Sequence, residues 1–228
     1  YQGEALKKRI VPLSEKVNAK GIFECDVSDE QSIKNTFDEI HNRYGKIDFI
    51  VHAIAYSDKE ELKGKYIETS KKNFLQSMHI SCYSFTAVAN YASKIMNDGG
   101  SMLTLSYYGA EKVIPHYNVM GIAKAALEAS VMYLAADLGD RAIRVNGISA
   151  GPVKTLAASG IGDFRYILKW NEYNAPLKRN TNLNDVGGAA LFLLSNLSSG
   201  TTGEILHVDS GYHVVGMKSP DAPDISVV

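Results

Sequence analysis

Apolar positions in this chain fall into two kinds of run. Short segments rich in β-branched residues, at residues 21–25, 48–54, 101–106, 143–149 and 204–208, are compact enough for buried strands. Between them, apolar residues recur at helical spacing over residues 28–44, 70–96, 116–138 and 184–194. Ser28-Asp29-Glu30-Gln31 reads as a capping box at the start of the first of these helices. Strands that alternate with helices predict a single α/β domain built on a doubly wound parallel sheet, covered by helices on both faces. In such sheets ligands bind beyond the carboxyl ends of the strands. Residues 26–27, 52–57, 106–117 and 150–156 are therefore expected to converge on one crevice.

The length of 228 residues suits one such domain, here residues 1–217, with a loosely composed tail at residues 218–228. Lys and Arg number 24 against 25 Asp and Glu, so no positive field draws nucleic acid or an anionic membrane, and neither is expected as a partner. A hydrophobic content of 45% without a run of 18 apolar residues predicts a globular chain with no membrane span. Cys25 and Cys82 are too few for a disulfide framework, which points to the cytoplasm. The six histidines show no metal-ligand spacing, and no metal site is expected.

Two patterns could carry chemistry. Tyr117 and Lys124 stand seven positions apart on an expected helix, nearly two turns, and so share a face. A phenol donates to a developing oxyanion, while an adjacent ammonium lowers the phenol's pKa and donates to ribose hydroxyls. The same spacing also fits a core-edge aromatic and a snorkelling lysine, so the neighbouring residues decide. The rival is Gly147-Ile148-Ser149-Ala150-Gly151, a nucleophile-elbow pattern followed in hydrolase order by Asp185 and His207. An elbow needs a helix directly after its strand, yet Pro152-Val153-Lys154-Thr155 reads as an extended loop, and no oxyanion motif accompanies it.

Three longer stretches bear on the choice. They are Ser106-Tyr107-Tyr108-Gly109-Ala110-Glu111, then Pro115-His116-Tyr117-Asn118-Val119-Met120-Gly121-Ile122-Ala123-Lys124, then the segment from Arg144-Val145-Asn146 through Gly151-Pro152 to Thr155-Leu156-Ala157-Ala158-Ser159-Gly160-Ile161. Together they resemble the bacterial NADH-dependent enoyl-acyl-carrier-protein reductases, a divergent branch of the short-chain dehydrogenase/reductase superfamily, over essentially the whole chain. Ordinary members of that superfamily set the catalytic Tyr and Lys four positions apart, where this chain has Gly121. Where they place a catalytic Ser, it has Leu105 and Thr104.

The resemblance implies a Rossmann-like fold and NADH-dependent reduction of the trans-2 double bond of enoyl-acyl-carrier-protein thioesters in fatty acid synthesis. It implies that Tyr117 donates to the thioester carbonyl oxygen, Lys124 holds the nicotinamide ribose and Tyr107 lies beside the substrate. Gln2, Asp26, Val27 and Ile54 would line the cofactor cleft, with Asp26 and Val27 at the adenine. Val153, Lys154, Thr155, Leu156 and Ala157 would close over the nicotinamide. Ser57 would line the substrate pocket, where the family usually has Ala, and residues 150–175 would include a mobile segment covering the substrate. Acyl carrier protein is the implied partner, although the family's basic cluster is thinned to Arg165 and Lys169. A homotetramer is the implied assembly.

NADH is expected over NADPH, because Gln2-Gly3-Glu4 offers no cation to a 2′-phosphate and a carboxylate to repel it. No first strand and glycine-rich turn precede Tyr1, and Gly160-Ile161-Gly162 lies too far downstream to serve. The chain is accordingly expected to be a fragment with an uncovered strand edge. A cofactor-binding homologue without turnover is the remaining alternative.

Overall fold

The computed structural model describes residues 1–155 and 162–225. Helices α1 (Gly3–Lys16) and α2 (Glu30–Tyr44) come first, followed by β1 (Ile47–His52), α3 (Lys71–Met78), a π-turn (His79–Tyr83) and α4 (Ser84–Ile95). The chain continues through β2 (Met96–Tyr107), α5 (Asn118–Leu138), β3 (Arg144–Ala150), α6 (Phe164–Asn174), α7 (Leu183–Leu194) and β4 (Ile205–Val208). The four strands pair in parallel in the order β1-β2-β3-β4, with Leu103 opposite both Val51 and Asn146, and Ile148 opposite Leu206.

Alternation along the strands builds two cores. Met102 and Val145 face one side of the sheet and pack with Ile33 and Phe37 of α2, Phe85 and Ala92 of α4, and Leu127 and Val131 of α5. Leu103 and Ile148 face the other side and meet Leu193 of α7. The sheet is thus covered on both faces, as the strand and helix alternation predicts. Helix α5 extended to Arg141 is long and apolar enough to cross a membrane by length and composition. Its apolarity has a local cause: Val119, Ala123, Leu127 and Val131 are fully buried in the protein core.

Three expectations need correction. Residues 21–25 form no strand, because their backbone finds a single residue to pair with: Tyr1 donates to the Phe23 carbonyl (2.8 Å) and accepts from the Cys25 amide (2.7 Å). One residue makes no ladder, and the described residues hold four strands where five were expected. Strand β1 lies at the edge of the sheet, with Phe49 and Val51 about half exposed. Helix α2 is capped by Asp29, whose carboxylate accepts from the Gln31 amide (2.9 Å). Ser28 is taken by Asp26, which accepts both its amide and its hydroxyl. The expected helix over residues 70–96 is broken by the π-turn, where the Ser84 hydroxyl bonds back to the Ile80 carbonyl (2.6 Å) and loosens the regular ladder.

Candidate active site

All four strands run the same way, so the end of β1, the end of β2 with its following turn, and the loop after β3 open on one side of the sheet. Tyr107 is the last residue of β2 and Tyr117 the N-cap of α5. Backbone φ angles of 58° at His116 and 40° at Asn118 swing the chain into the helix and turn the Tyr117 ring onto that of Tyr107. The two rings meet edge to face, with centroids 5.0 Å apart. Leu62, Val119 and Met120 bury the pair, with Phe74 and Ile114 at its edge.

Two glycines make room for this arrangement. A Cβ on Gly109 would stand 2.3 Å from the Tyr117 ring, and a Cβ on Gly121 would stand 2.6 Å from the Gly109 carbonyl oxygen. The position that carries lysine in ordinary short-chain dehydrogenases is therefore packed against backbone here, and the lysine comes three residues later, at Lys124.

Neither phenol hydroxyl has a hydrogen-bond partner among the described residues. Burial pushes the Tyr117 phenol far above its ordinary pKa, with Tyr107 and Glu128 adding to the effect. Burial, then Tyr212, does the same to Tyr107. This corrects the expectation that Lys124 lowers the Tyr117 pKa. The ammonium is turned to the Leu105 carbonyl (2.7 Å), and desolvation outweighs any long-range attraction. Tyr117 is a neutral donor at every physiological pH.

Burial also pulls Lys124 down to about 8, against opposing effects of Cys82 and Glu128. The single bond to Leu105 leaves two of its three N–H groups without partners among the described residues. His52 stands behind it, bonded through Nδ1 to Thr104 Oγ1 (3.1 Å) and through Nε2 to Ser84 Oγ (2.8 Å). Burial and then the Lys124 charge hold it neutral, with a pKa of about 3. Ser106 does not replace the missing serine of ordinary relatives, because its hydroxyl is turned away to Glu128. Burial raises the Glu128 carboxyl.

The other candidate residues fall into separate groups. Gln2 Nε2 donates to Asp26 Oδ2 (2.7 Å), and the Ser28 hydroxyl bond is the main reason that the Asp26 carboxyl sits below its usual range. Val27 is half-buried against the α2 and α4 core. Ile54 follows β1, partly exposed. Ser57 is engaged with α3. Val153 and Lys154 line a cavity of about 520 Å³ together with Leu168, Thr181 and Asn182. Leu156 and Ala157 lie outside the described residues. A smaller cavity, about 240 Å³, is lined by Tyr107, Ile114, Tyr166, Trp170 and Tyr212. Of the tyrosine pair, Tyr107 lines the smaller cavity and neither residue lines the larger one.

Ser149 does not form an elbow. It lies inside β3, 1% exposed, and its hydroxyl has no hydrogen-bond partner among the described residues. Its neighbour across the sheet, His207, is bonded to Glu111 (2.5 Å) and stacked on His213, while Asp185 pairs with Arg179 and accepts from the amide of Asn182, the N-cap of α7. Gly109, Gly121 and Glu128 are the contributors to the site that residue patterns did not single out.

A parallel α/β sheet with a tyrosine and a lysine at its strand ends defines the short-chain dehydrogenase/reductase class of Rossmann-like folds. Within that class, the chain belongs to the enoyl-(acyl carrier protein) reductase family, whose model matches residues 1–213. It is 68% identical to enoyl-[acyl-carrier-protein] reductase [NADH] 1 of Rhizobium meliloti over 228 residues, 100% of this chain and 84% of that protein. Against the Rickettsia felis enzyme of the same description, identity is 58% over 95% of this chain and 83% of the relative. The crystal structure of the Anaplasma phagocytophilum reductase in complex with NAD superposes with a TM-score of 0.93 at 64% identity, covering 99% of this chain and 84% of that one. The Bacillus cereus reductase, solved with NADP+ and indole naphthyridinone, gives a TM-score of 0.91 at 47% identity over 95% of this chain and 85% of its own.

Proposed function

We propose that this chain catalyses the NADH-dependent reduction of the trans-2 double bond of enoyl-acyl-carrier-protein thioesters in fatty acid synthesis. The observation that carries the reading is the Tyr107–Tyr117 pair, with both hydroxyls unengaged among the described residues and Tyr117 at the start of the helix that carries the buried Lys124. The residues suit a dinucleotide. Lys124 keeps two N–H groups for ribose hydroxyls, and Gln2 with Asp26 offers a polar pair for the adenine, with Val27 beside it.

NADH supplies the hydride when bound. As Cβ of the enoyl thioester is reduced, negative charge develops on the carbonyl oxygen, and the Tyr117 hydroxyl donates to it. A preorganised donor of this kind contributes about 3 to 4 kcal/mol. A phenol kept so far from ionisation acts by hydrogen bonding, and its ring is held by Tyr107 and the two glycines. Lys124 orients the ribose. Ile54 would line the cofactor cleft, and Val153, Lys154 and Thr155 would close over the nicotinamide. Tyr107 and Ser57 border the substrate, and α6 covers it.

Further parts of the reading concern the surroundings. Arg165 and Lys169 are exposed one turn apart on α6 and suit the acidic surface of a carrier protein. The enzyme works in the cytoplasm. Met132 and Tyr133 on α5 and Leu191 on α7 expose apolar surface that fits a homotetramer. Sedimentation equilibrium should give four times the chain mass, and a monomer would refute the assembly.

Cofactor choice is the test of the reading at the helix α1 end. The first turn of α1 presents the Glu4 carboxylate, which holds Lys7 (3.1 Å) and would repel a 2′-phosphate, while Lys8 and Arg9 lie further along the helix. Steady-state turnover of a crotonyl thioester should show a higher kcat/KM with NADH than with NADPH. The reverse order would remove this assignment.

A further inference from the structure

The loop after β1, residues 53–64, forms one wall of the tyrosine site. Leu62 packs in the cluster that buries Tyr117, and the Asn118 carboxamide donates to the carbonyls of Leu62 (3.1 Å) and Gly64 (2.9 Å). The other side of the loop is held by α3. Asn73 is 2% exposed, yet each end of its carboxamide is engaged: Oδ1 accepts from the Asp58 amide (2.9 Å), and Nδ2 donates to Ser57 Oγ (3.1 Å). One turn further on, the fully buried Ser77 donates to Ser57 Oγ at 2.9 Å. Another turn on, in the π-turn, Ser81 accepts from the Tyr56 amide (2.9 Å) and donates to the Tyr56 carbonyl (3.0 Å). Phe74, the residue after Asn73, packs into the tyrosine cluster from the same helix.

These contacts use up the Ser57 hydroxyl. Two donors fill its lone pairs, and its own proton faces Asn73 Oδ1 at 3.3 Å. We propose that Asn73 is a positioning residue for the reaction: acting through Ser57 and the Asp58 amide, it sets the loop that walls the substrate side of the tyrosine pair. Ser57 is then part of that clamp and gives no hydrogen bond to the thioester. The inference rests on the proposed reductase activity and adds to it the device that shapes the substrate pocket. Asn73 reaches the substrate only through the loop, so its loss alters substrate fit while leaving the Tyr117 donor in place.

The test combines amide hydrogen exchange with kinetics on the NADH-bound full chain. Asn73→Ala removes the acceptor of a part-buried amide, and exchange at Asp58 should rise about tenfold, with KM for a crotonyl thioester rising by a similar factor. The kcat and the NADH Kd should stay within about twofold. Asn73→Asp keeps an acceptor for the Asp58 amide and should restore most of the protection and of the KM. Ser57→Ala should raise KM less than Asn73→Ala does. If Ser57→Ala has the larger effect on KM, its hydroxyl touches the substrate and the proposal is overturned. Unchanged exchange at Asp58 in Asn73→Ala overturns it equally. Should the wild-type chain fail to turn the thioester over, the activity is refuted, while the exchange result still decides the role of Asn73.

Discussion

Tyr117→Phe is expected to lower kcat by about 10²- to 10³-fold, the largest loss of any single substitution in the site. The argument is local. Phenylalanine keeps the ring that packs edge to face on Tyr107 and fills the space left by Gly109, so the fold of the turn survives. Only the donor to the developing oxyanion is lost. Because that bond strengthens as charge builds on the carbonyl oxygen, the loss falls on kcat, with KM and NADH affinity changing little. Tyr107→Phe should be milder, since the edge-to-face packing remains and Tyr117 still donates. Stopped-flow turnover of the two variants separates them, and a Tyr117→Phe enzyme within threefold of wild type would show that the donor lies elsewhere.

Lys124→Met should weaken NADH binding by about 10- to 100-fold, the range for losing hydrogen bonds from a charged group. Methionine fills the buried channel beside Cys82 and His52 but leaves the Leu105 carbonyl without its partner. The same residue sets a pH dependence. With a pKa of about 8, the ammonium that donates to the ribose is lost as pH rises through that value, so wild-type NADH affinity should fall above pH 8. In Lys124→Met that fall should vanish. Stability moves the other way. The folded pKa lies below the unfolded value of about 10.4, so the unfolded chain binds more protons between the two. The contribution of Lys124 to stability therefore rises with pH across that window. Calorimetric titration at several pH values checks the affinity, and an unchanged Kd in the variant would contradict the ribose assignment.

How much of this was legible in the amino-acid order depended on the range of the interaction. Four strands could be read from short β-branched runs, because a parallel sheet covered on both faces demands nearly continuous apolar segments. Residues 21–25 have the same composition and form no strand, since pairing depends on neighbours that a local pattern does not report. Ser28 looked like a cap, and Asp26, two residues earlier, competed for it successfully.

The seven-residue spacing of Tyr117 and Lys124 was visible. Its steric cause, Gly121 against the Gly109 carbonyl, appears only when the turn after β2 is folded against α5. The direction of the Tyr117 pKa was misjudged for a similar reason: spacing places an ammonium on the same helix face, and burial decides which effect wins. The Asn73 clamp joins residues 15 to 20 positions apart, with no periodic signal to mark it.

The central claim is hydride delivery to Cβ of an enoyl thioester beside Tyr117. A single turnover of crotonyl thioester with NADH carrying deuterium at both C4 positions tests it most directly. The account predicts one deuterium at C3 of the saturated butyryl product, formed in step with NADH oxidation. Product without deuterium at C3, or NADH oxidation that does not depend on the thioester, would contradict it.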